Sequence, residues 1–232
     1  MNFAKRAVMM LVLALAVSAG LWAQRPGGGG MNPFGSMPSF GLQNPTLGSG
    51  SEYLMTTRGK DVDMSIVALG KEDVGGQTGY WMEMRMVNPD LGGEMVMKSL
   101  VVSSPTESGI KRMIMQRPGQ PPMEMPAMMM GMMQQHQTPP ITTQGAGGPG
   151  GTGELVGTES VTVPAGTFTC QHYRKQDAKG PTDLWISTQV TPYALVKMTS
   201  ADATMTLKKV LTNESSHIKG QPQAMQFPGM PQ

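Results

Sequence analysis

The chain has 232 residues, with 18 Lys and Arg against 16 Asp and Glu, a single Cys, and an unusually high 25 Met beside 30 Gly and 19 Pro. Lys5 and Arg6 lie in a leading stretch that contains no Asp or Glu, so they account for the whole formal charge of +2 and the remainder of the chain is neutral. A neutral chain offers no electrostatic case for nucleic acid or an anionic membrane surface, and a lone cysteine excludes an intramolecular disulfide, which leaves stability to a packed core.

Lys5 and Arg6, the apolar run Ala7 to Ala16 and the small residues around Ala19 and Ala23 have the layout of a secretory signal peptide over 1–23, with cleavage expected after Ala19 or Ala23. The apolar run is short for a membrane span and no other stretch is longer, so no transmembrane segment is expected in the mature chain. No cysteine stands directly after the run, which argues against a lipid anchor. The expected location is the bacterial periplasm or the extracellular space.

Residues 24–51 and the insertion 118–152 are rich in Gly, Pro, Gln and Met and can bury little, and 214–232 reads as a disordered tail. What remains is a single β-rich domain over 52–213, interrupted by that insertion; either of its two blocks alone would be marginal without disulfides. Asp61 to Leu69 alternates in part. In Tyr80 to Val87, Tyr80, Met82, Met84 and Met86 share one face and Glu83 and Arg85 take the other, a grouping that only a strand produces. Asn88-Pro89-Asp90 with Gly92-Gly93 turns the chain into a second alternating run, Met95 to Val102, which predicts a hairpin. Ile110 to Gln116 follows with partial alternation.

After the insertion, Val161 and Val163 alternate with Ser160 and Thr162, Pro164-Ala165-Gly166 makes a turn, and Phe168, Cys170 and His172 resume the alternation. This hairpin is expected at the centre of the fold. Asp183 to Ser187, Tyr193 to Met198 and Met205 to Leu211 extend it into a meander. No helical periodicity of useful length appears beyond the signal peptide, so the expected fold class is mainly β, a curved antiparallel sheet or half-barrel with long disordered Gly/Pro/Met-rich segments.

Few residues present themselves for chemistry. Gly145 to Gly150 spells GxGxxG but has no strand before it and no helix after it, so it lacks the features that hold a pyrophosphate. Cys170 on the face of Phe168 reads as packing, and His172 on the same strand points alongside it rather than toward it. Asp61 and Asp63 read as a solvated edge. His136 and His217 stand isolated. With no HExxH, CxxC or GxSxG, the chain is expected not to be an enzyme and to need no cofactor. Met128, Met129, Met130, Met132, Met133 and His136 could hold a soft ion such as Cu(I), although a chain this rich in Met also uses it where Leu or Val would serve.

Val163 to Tyr173, Leu184 to Ser187 and Leu195 to Lys197 carry a VPAGTF.C.HY hairpin, an LWIS strand and a segment ending in LVK. In these segments the chain resembles uncharacterised bacterial envelope proteins of the LolA-like superfamily, related to the outer-membrane lipoprotein carrier. The resemblance implies a strongly curved antiparallel sheet around an apolar face, which in the carrier takes acyl chains. The chain departs from that pattern in lacking amphipathic helices to plug the sheet and in its Met-rich insertion, so no functional residue carries over.

A sheet must bury its apolar face against a second sheet, a closed barrel or a ligand. The expected function is an exported, non-enzymatic β-rich protein with a lipid or other apolar ligand as partner, on a concave face carrying Tyr80, Met82, Met84, Met86, Met95, Met97, Phe168, Leu184 and Ile186. Periplasmic copper binding through the Met-rich insertion, or a structural and interaction role, are the alternatives.

Overall fold

The computed structural model describes residues 42, 45–88, 92–103, 108–135, 153–177 and 180–225. The expected signal peptide, the GxGxxG sequence and His136 lie outside them. As expected, the described chain is mainly β: one open, curved sheet of twelve strands. These are β1 (Ser49–Thr57), β2 (Lys60–Val74), β3 (Gln77–Asn88), β4 (Gly93–Ser103), β5 (Ser108–Gln116), β6 (Met123–Glu124), β7 (Glu154–Val163), β8 (Gly166–Asp177), β9 (Gly180–Ile186), β10 (Leu195–Thr199), β11 (Ala203–Leu211) and β12 (Gln223–Ala224), with one helix, α1 (Ala127–Gln135). Across the sheet the order is β12-β6-β5-β4-β3-β2-β1-β11-β10-β9-β8-β7.

Local sequence explains the tight hairpins. Arg58-Gly59 and Gly75-Gly76 each link two strands through two residues with positive φ, the geometry that matches the twist of paired strands. Gly166, with φ 133°, closes the Pro164-Ala165 turn. The β1–β11 pairing is different in kind: it joins Gly50 to Leu211 and Thr57 to Ala203, and so unites the two β blocks in one sheet.

Register assigns every side chain to one of two faces. On the methionine face, Met95, Met86, Met64, Tyr53 and Leu207 stand in one cross-strand row from β4 to β11. A second row, Met55, Met205, Met198, Leu184 and Tyr173, runs from β1 to β8. Met64, Met86, Met198, Met205, Leu184 and Leu207 are buried, each worth about 1.5–3 kcal/mol relative to exposure.

The loop 187–194 closes this face over β1. Ser51 Oγ donates to Thr191 O at 2.6 Å, Tyr53 Oη donates to Leu195 O at 3.0 Å, and the hydroxyls of Ser49 and Thr191 lie 3.3 Å apart. Val190, Pro192 and Ala194 are buried there.

The opposite face carries Glu83, Arg85, Val67, Val96, Leu100 and Ile114. Here the structure corrects the expected disordered tail over 214–225, the rest of that segment lying outside the described residues. Residues 212–225 run from the end of β11 to β12, which pairs in parallel with β6. The buried Glu83 carboxylate, 3% exposed, fastens them. Ser216 Oγ donates to Glu83 Oε2 at 2.5 Å, His217 N–H donates to Oε1 at 2.7 Å, and His217 Nδ1 lies 3.2 Å from that oxygen. Further along, Lys219 N–H donates to Gln116 Oε1 at 2.8 Å and Gln116 Nε2 donates back to Lys219 O at 3.2 Å. The segment has no periodicity because it is held by hydrogen bonds from the sheet rather than by an apolar face of its own.

Two further expectations are corrected. The insertion does contain structure: β6 and α1 lie within it, and α1 packs on β5. Ala, Met and Gln are strong helix formers, and Pro126, whose carbonyl accepts from Met129 N–H and Met130 N–H at 3.0 and 3.2 Å, starts the helix where its own missing N–H costs nothing. The β7–β8 hairpin is not central; β7 is the edge of the sheet. Its turn bends back so that Ala165 N–H donates to Leu207 O at 3.4 Å.

Glu83→Ala should release the strap. The expected outcome is a loss of about 1–3 kcal/mol in chemical unfolding and faster tryptic cleavage after Lys219, while cleavage within β11 stays slow. Unchanged cleavage at Lys219 would contradict the latch.

Candidate functional site

The structure brings six of the nine expected face residues together. Tyr80, Met82, Met84 and Met86 alternate along β3, and Met95 and Met97 on β4 stand directly opposite Met86 and Met84. The row continues from Met97 to Met115 on β5, and a neighbouring row reads Ala68, Met82, Ser99, Met113. Directly opposed strand residues sit with Cβ atoms about 4.5–5.5 Å apart, so these thioethers form one continuous surface.

The other three residues lie elsewhere. Leu184 is on the same face but fully buried in the β9–β10 region, and Ile186 lies half-buried opposite Leu195. Phe168 is on the opposite face. Tyr173 pairs with Leu184 on the methionine face, and Phe168, an odd number of residues away along the regular β8 strand, points the other way. The alternation within β8 was legible; which side of the sheet it faced depended on pairing with β9.

Covering of the methionine face is uneven. Over β1, β10 and β11 it is closed except at the half-buried Met55, with Tyr53, Leu207, Met205, Met198 and Val196 all buried. Over β3, β4 and β5 only Met82, Met86, Met97, Ser99 and Met113 are buried, and Tyr80, Met84, Met95, Val101, Ile110 and Met115 keep partial exposure. Lys71 stands at the rim with Nζ 5.3 Å from the Tyr80 ring centre. This half of the face is the candidate site: a thioether floor, an aliphatic and aromatic margin, and one buried hydroxyl.

Of the expected soft-metal ligands on α1, Met128 is 62% exposed and Met130 is 6% exposed, so these two thioethers point to opposite sides of the helix; the side chains of Met132 and Met133 lie outside the described ones. Among the described residues no group of three or more His, Cys, Asp or Glu could hold a metal ion.

A second polar cluster was missed because it is assembled across strands. His172 Nε2 lies 2.7 Å from Asp183 Oδ1, and its Nδ1 lies 3.1 Å from Glu159 Oε1. Its ring stacks on Trp185 at 4.5 Å between centres, while Lys197 Nζ sits 5.0 Å from the Trp185 ring centre and Trp185 Nε1 donates to Glu159. Burial opposes ionisation of Asp183, but hydrogen bonds from Arg174 and His172 outweigh it and hold the carboxyl below its usual range. All partners in this cluster are satisfied by one another, and it ties β7, β8, β9 and β10 together.

Other residues singled out from the sequence have structural roles. Cys170 is a free, buried thiol, raised from its ordinary pKa by burial and by Glu159. Asp63 accepts from Lys208 Nζ at 2.6 Å and Asp61 from Thr56 Oγ1 at 2.6 Å; both are on β2, an interior strand rather than an edge. His217, far from isolated, forms part of the Glu83 latch.

No protein-family model and no curated protein matches the chain. Among solved structures, a candidate lipoprotein from Parabacteroides distasonis is similar at 13% identity and TM-score 0.36, over 74% of this chain and 99% of that one. A candidate exported protein with a YmcC-like fold from Bacteroides fragilis is similar at 13% identity and TM-score 0.33, with the same coverage. Similarity at this level defines neither family nor activity. No helix among the described residues is long and apolar enough to cross a membrane.

Burial raises the Tyr53 phenol far above its ordinary range and pushes Tyr193 up to about 12. A raised folded-state pKa means that the fold favours the protonated phenol. This contribution is complete below the unfolded value of about 10 and is lost as pH rises above it. Unfolding free energy should therefore fall above about pH 10. Tyr53→Phe should cost about 1–2 kcal/mol at neutral pH by leaving Leu195 O unpaired and make the alkaline decline shallower; an unchanged slope would contradict the buried phenol.

Proposed function

We propose that the chain is an exported, non-enzymatic envelope module that holds a lipid or another apolar ligand on the β3–β5 half of its methionine face. The observation that carries this reading is the uneven covering of one continuous apolar face: loop 187–194 closes the β1 end, while Tyr80, Met84, Met95, Val101, Ile110 and Met115 stay partly open to solvent. A core with no further task would be covered along its whole length, because each exposed apolar side chain forfeits burial energy. Methionine suits a surface that accepts varied apolar shapes, since its unbranched thioether repacks at little cost. The layout of residues 1–23 supports export, and the neutral remainder of the chain suits an apolar partner better than a charged one.

An environment-sensitive dye such as N-phenyl-1-naphthylamine tests the reading. The native protein should bind it and brighten it. Met84→Glu with Met95→Glu, both at partly exposed positions, should weaken binding at least about ten-fold, the effect of setting charge in an apolar contact, with the circular dichroism spectrum unchanged. Met128→Glu on the exposed side of α1 should bind normally. Dye binding that is absent, or equal in the double variant, would sink the proposal.

A further inference from the structure

Ser99 stands apart on this face. It is 5% exposed, and its hydroxyl has no hydrogen-bond partner among the described residues. Its cross-strand neighbours are Met82 on β3 and Met113 on β5. Its same-face neighbours along β4 are Met97 and Val101, and the next row holds Met84 and Met115. The surroundings are thus thioethers and aliphatic carbon, of which only the thioether sulfurs accept a hydrogen bond, and weakly, and none of them pairs with this hydroxyl. Buried polar groups are nearly always paired, and one left unpaired costs the desolvation of that group. Alanine would fit the same small place without that cost, as Ala68 does two strands away in the same row.

Apolar binding sites usually carry a few placed polar groups that orient the ligand. We infer that Ser99 Oγ is the polar anchor of the methionine face, and that the ligand is an aliphatic chain bearing an uncharged oxygen, as in an alcohol or an ester, rather than a bare hydrocarbon or a carboxylate. The inference rests on the apolar-ligand reading of the same face. A hydroxyl both donates and accepts, so it pairs with either kind of oxygen. An ionised carboxylate in the same position would be buried among uncharged neighbours without a counter-ion, which is far more costly than burying a neutral oxygen. Met82 and Met113, the long flexible side chains flanking Ser99, can move aside to admit the oxygen, and the chain then lies along Met84, Met97 and Met95 toward the partly exposed margin.

Competition for the bound dye by 1-decanol and by decane, in the native protein, Ser99→Ala and Ser99→Thr, forms a cycle between the ligand oxygen and the serine hydroxyl. The native preference for decanol over decane should fall about ten-fold in Ser99→Ala, the size of one hydrogen bond in a dry site, and Ser99→Thr, which keeps a hydroxyl, should retain most of it. If both ligands compete and the preference is the same in the native protein and Ser99→Ala, the anchor is wrong while the apolar site stands. If neither ligand competes with the native protein, the apolar site itself fails, and the anchor with it.

Discussion

A sheet of twelve strands has two broad faces to bury, and among the described residues there is one nine-residue helix with which to do it. Everything else in the structure answers that constraint. On one face the covering is a loop, 187–194, drawn down by Ser51 and Tyr53. On the other it is the segment after β11, drawn down by Glu83 and Gln116. In both places a polar side chain on the sheet binds the backbone or hydroxyl of an irregular segment, so regular structure holds irregular structure in place. An isolated buried carboxylate would be destabilising; with three contacts from Ser216 and His217, Glu83 becomes the point on which the strap depends.

The methionine content follows from the same constraint. Where a sheet packs on loops instead of on a second sheet, the gaps are irregular, and an unbranched thioether fills irregular gaps better than a branched aliphatic side chain. The same adaptability is what the proposed site relies on to accept a guest. At the β1 end the loop is the guest's counterpart and is covalently part of the chain; at the β3–β5 end the margin formed by Tyr80, Met84, Met95 and Met115 remains open. Ser99 lies in the floor of that half, where a purely structural core would gain from alanine.

What was legible in the sequence was local. The alternation in Tyr80 to Met86 and in Met95 to Val101 placed the methionine ladder correctly, because side-chain direction in a strand has period two and needs no partner to be read. The Pro164 to Gly166 turn was legible for the same reason. What could not be read was anything decided between distant segments. β1 pairs with residues about 150 positions away, and its first three residues, Ser49 to Ser51, fall within the expected disordered Gly/Pro-rich segment 24–51. Phe168 alternates as expected, yet its side of the sheet is set by pairing with β9. The His172 cluster gathers Glu159 from β7 and Asp183 and Trp185 from β9, and the Glu83 latch reaches more than 130 residues along the chain, so neither leaves a motif. Helix α1 was hidden by Met, Gly and Pro composition that read as low complexity.

The central claim is that one half of a single continuous apolar face is a binding surface and the other half is core. Methyl NMR of protein labelled at the methionine methyl groups, titrated with 1-decanol, tests it most directly, since both halves carry the same probe. The account predicts shifts at Met82, Met84, Met95, Met97, Met113 and Met115 and none at Met198 and Met205. Shifts spread evenly over both groups, or absent from the β3–β5 group, would contradict it.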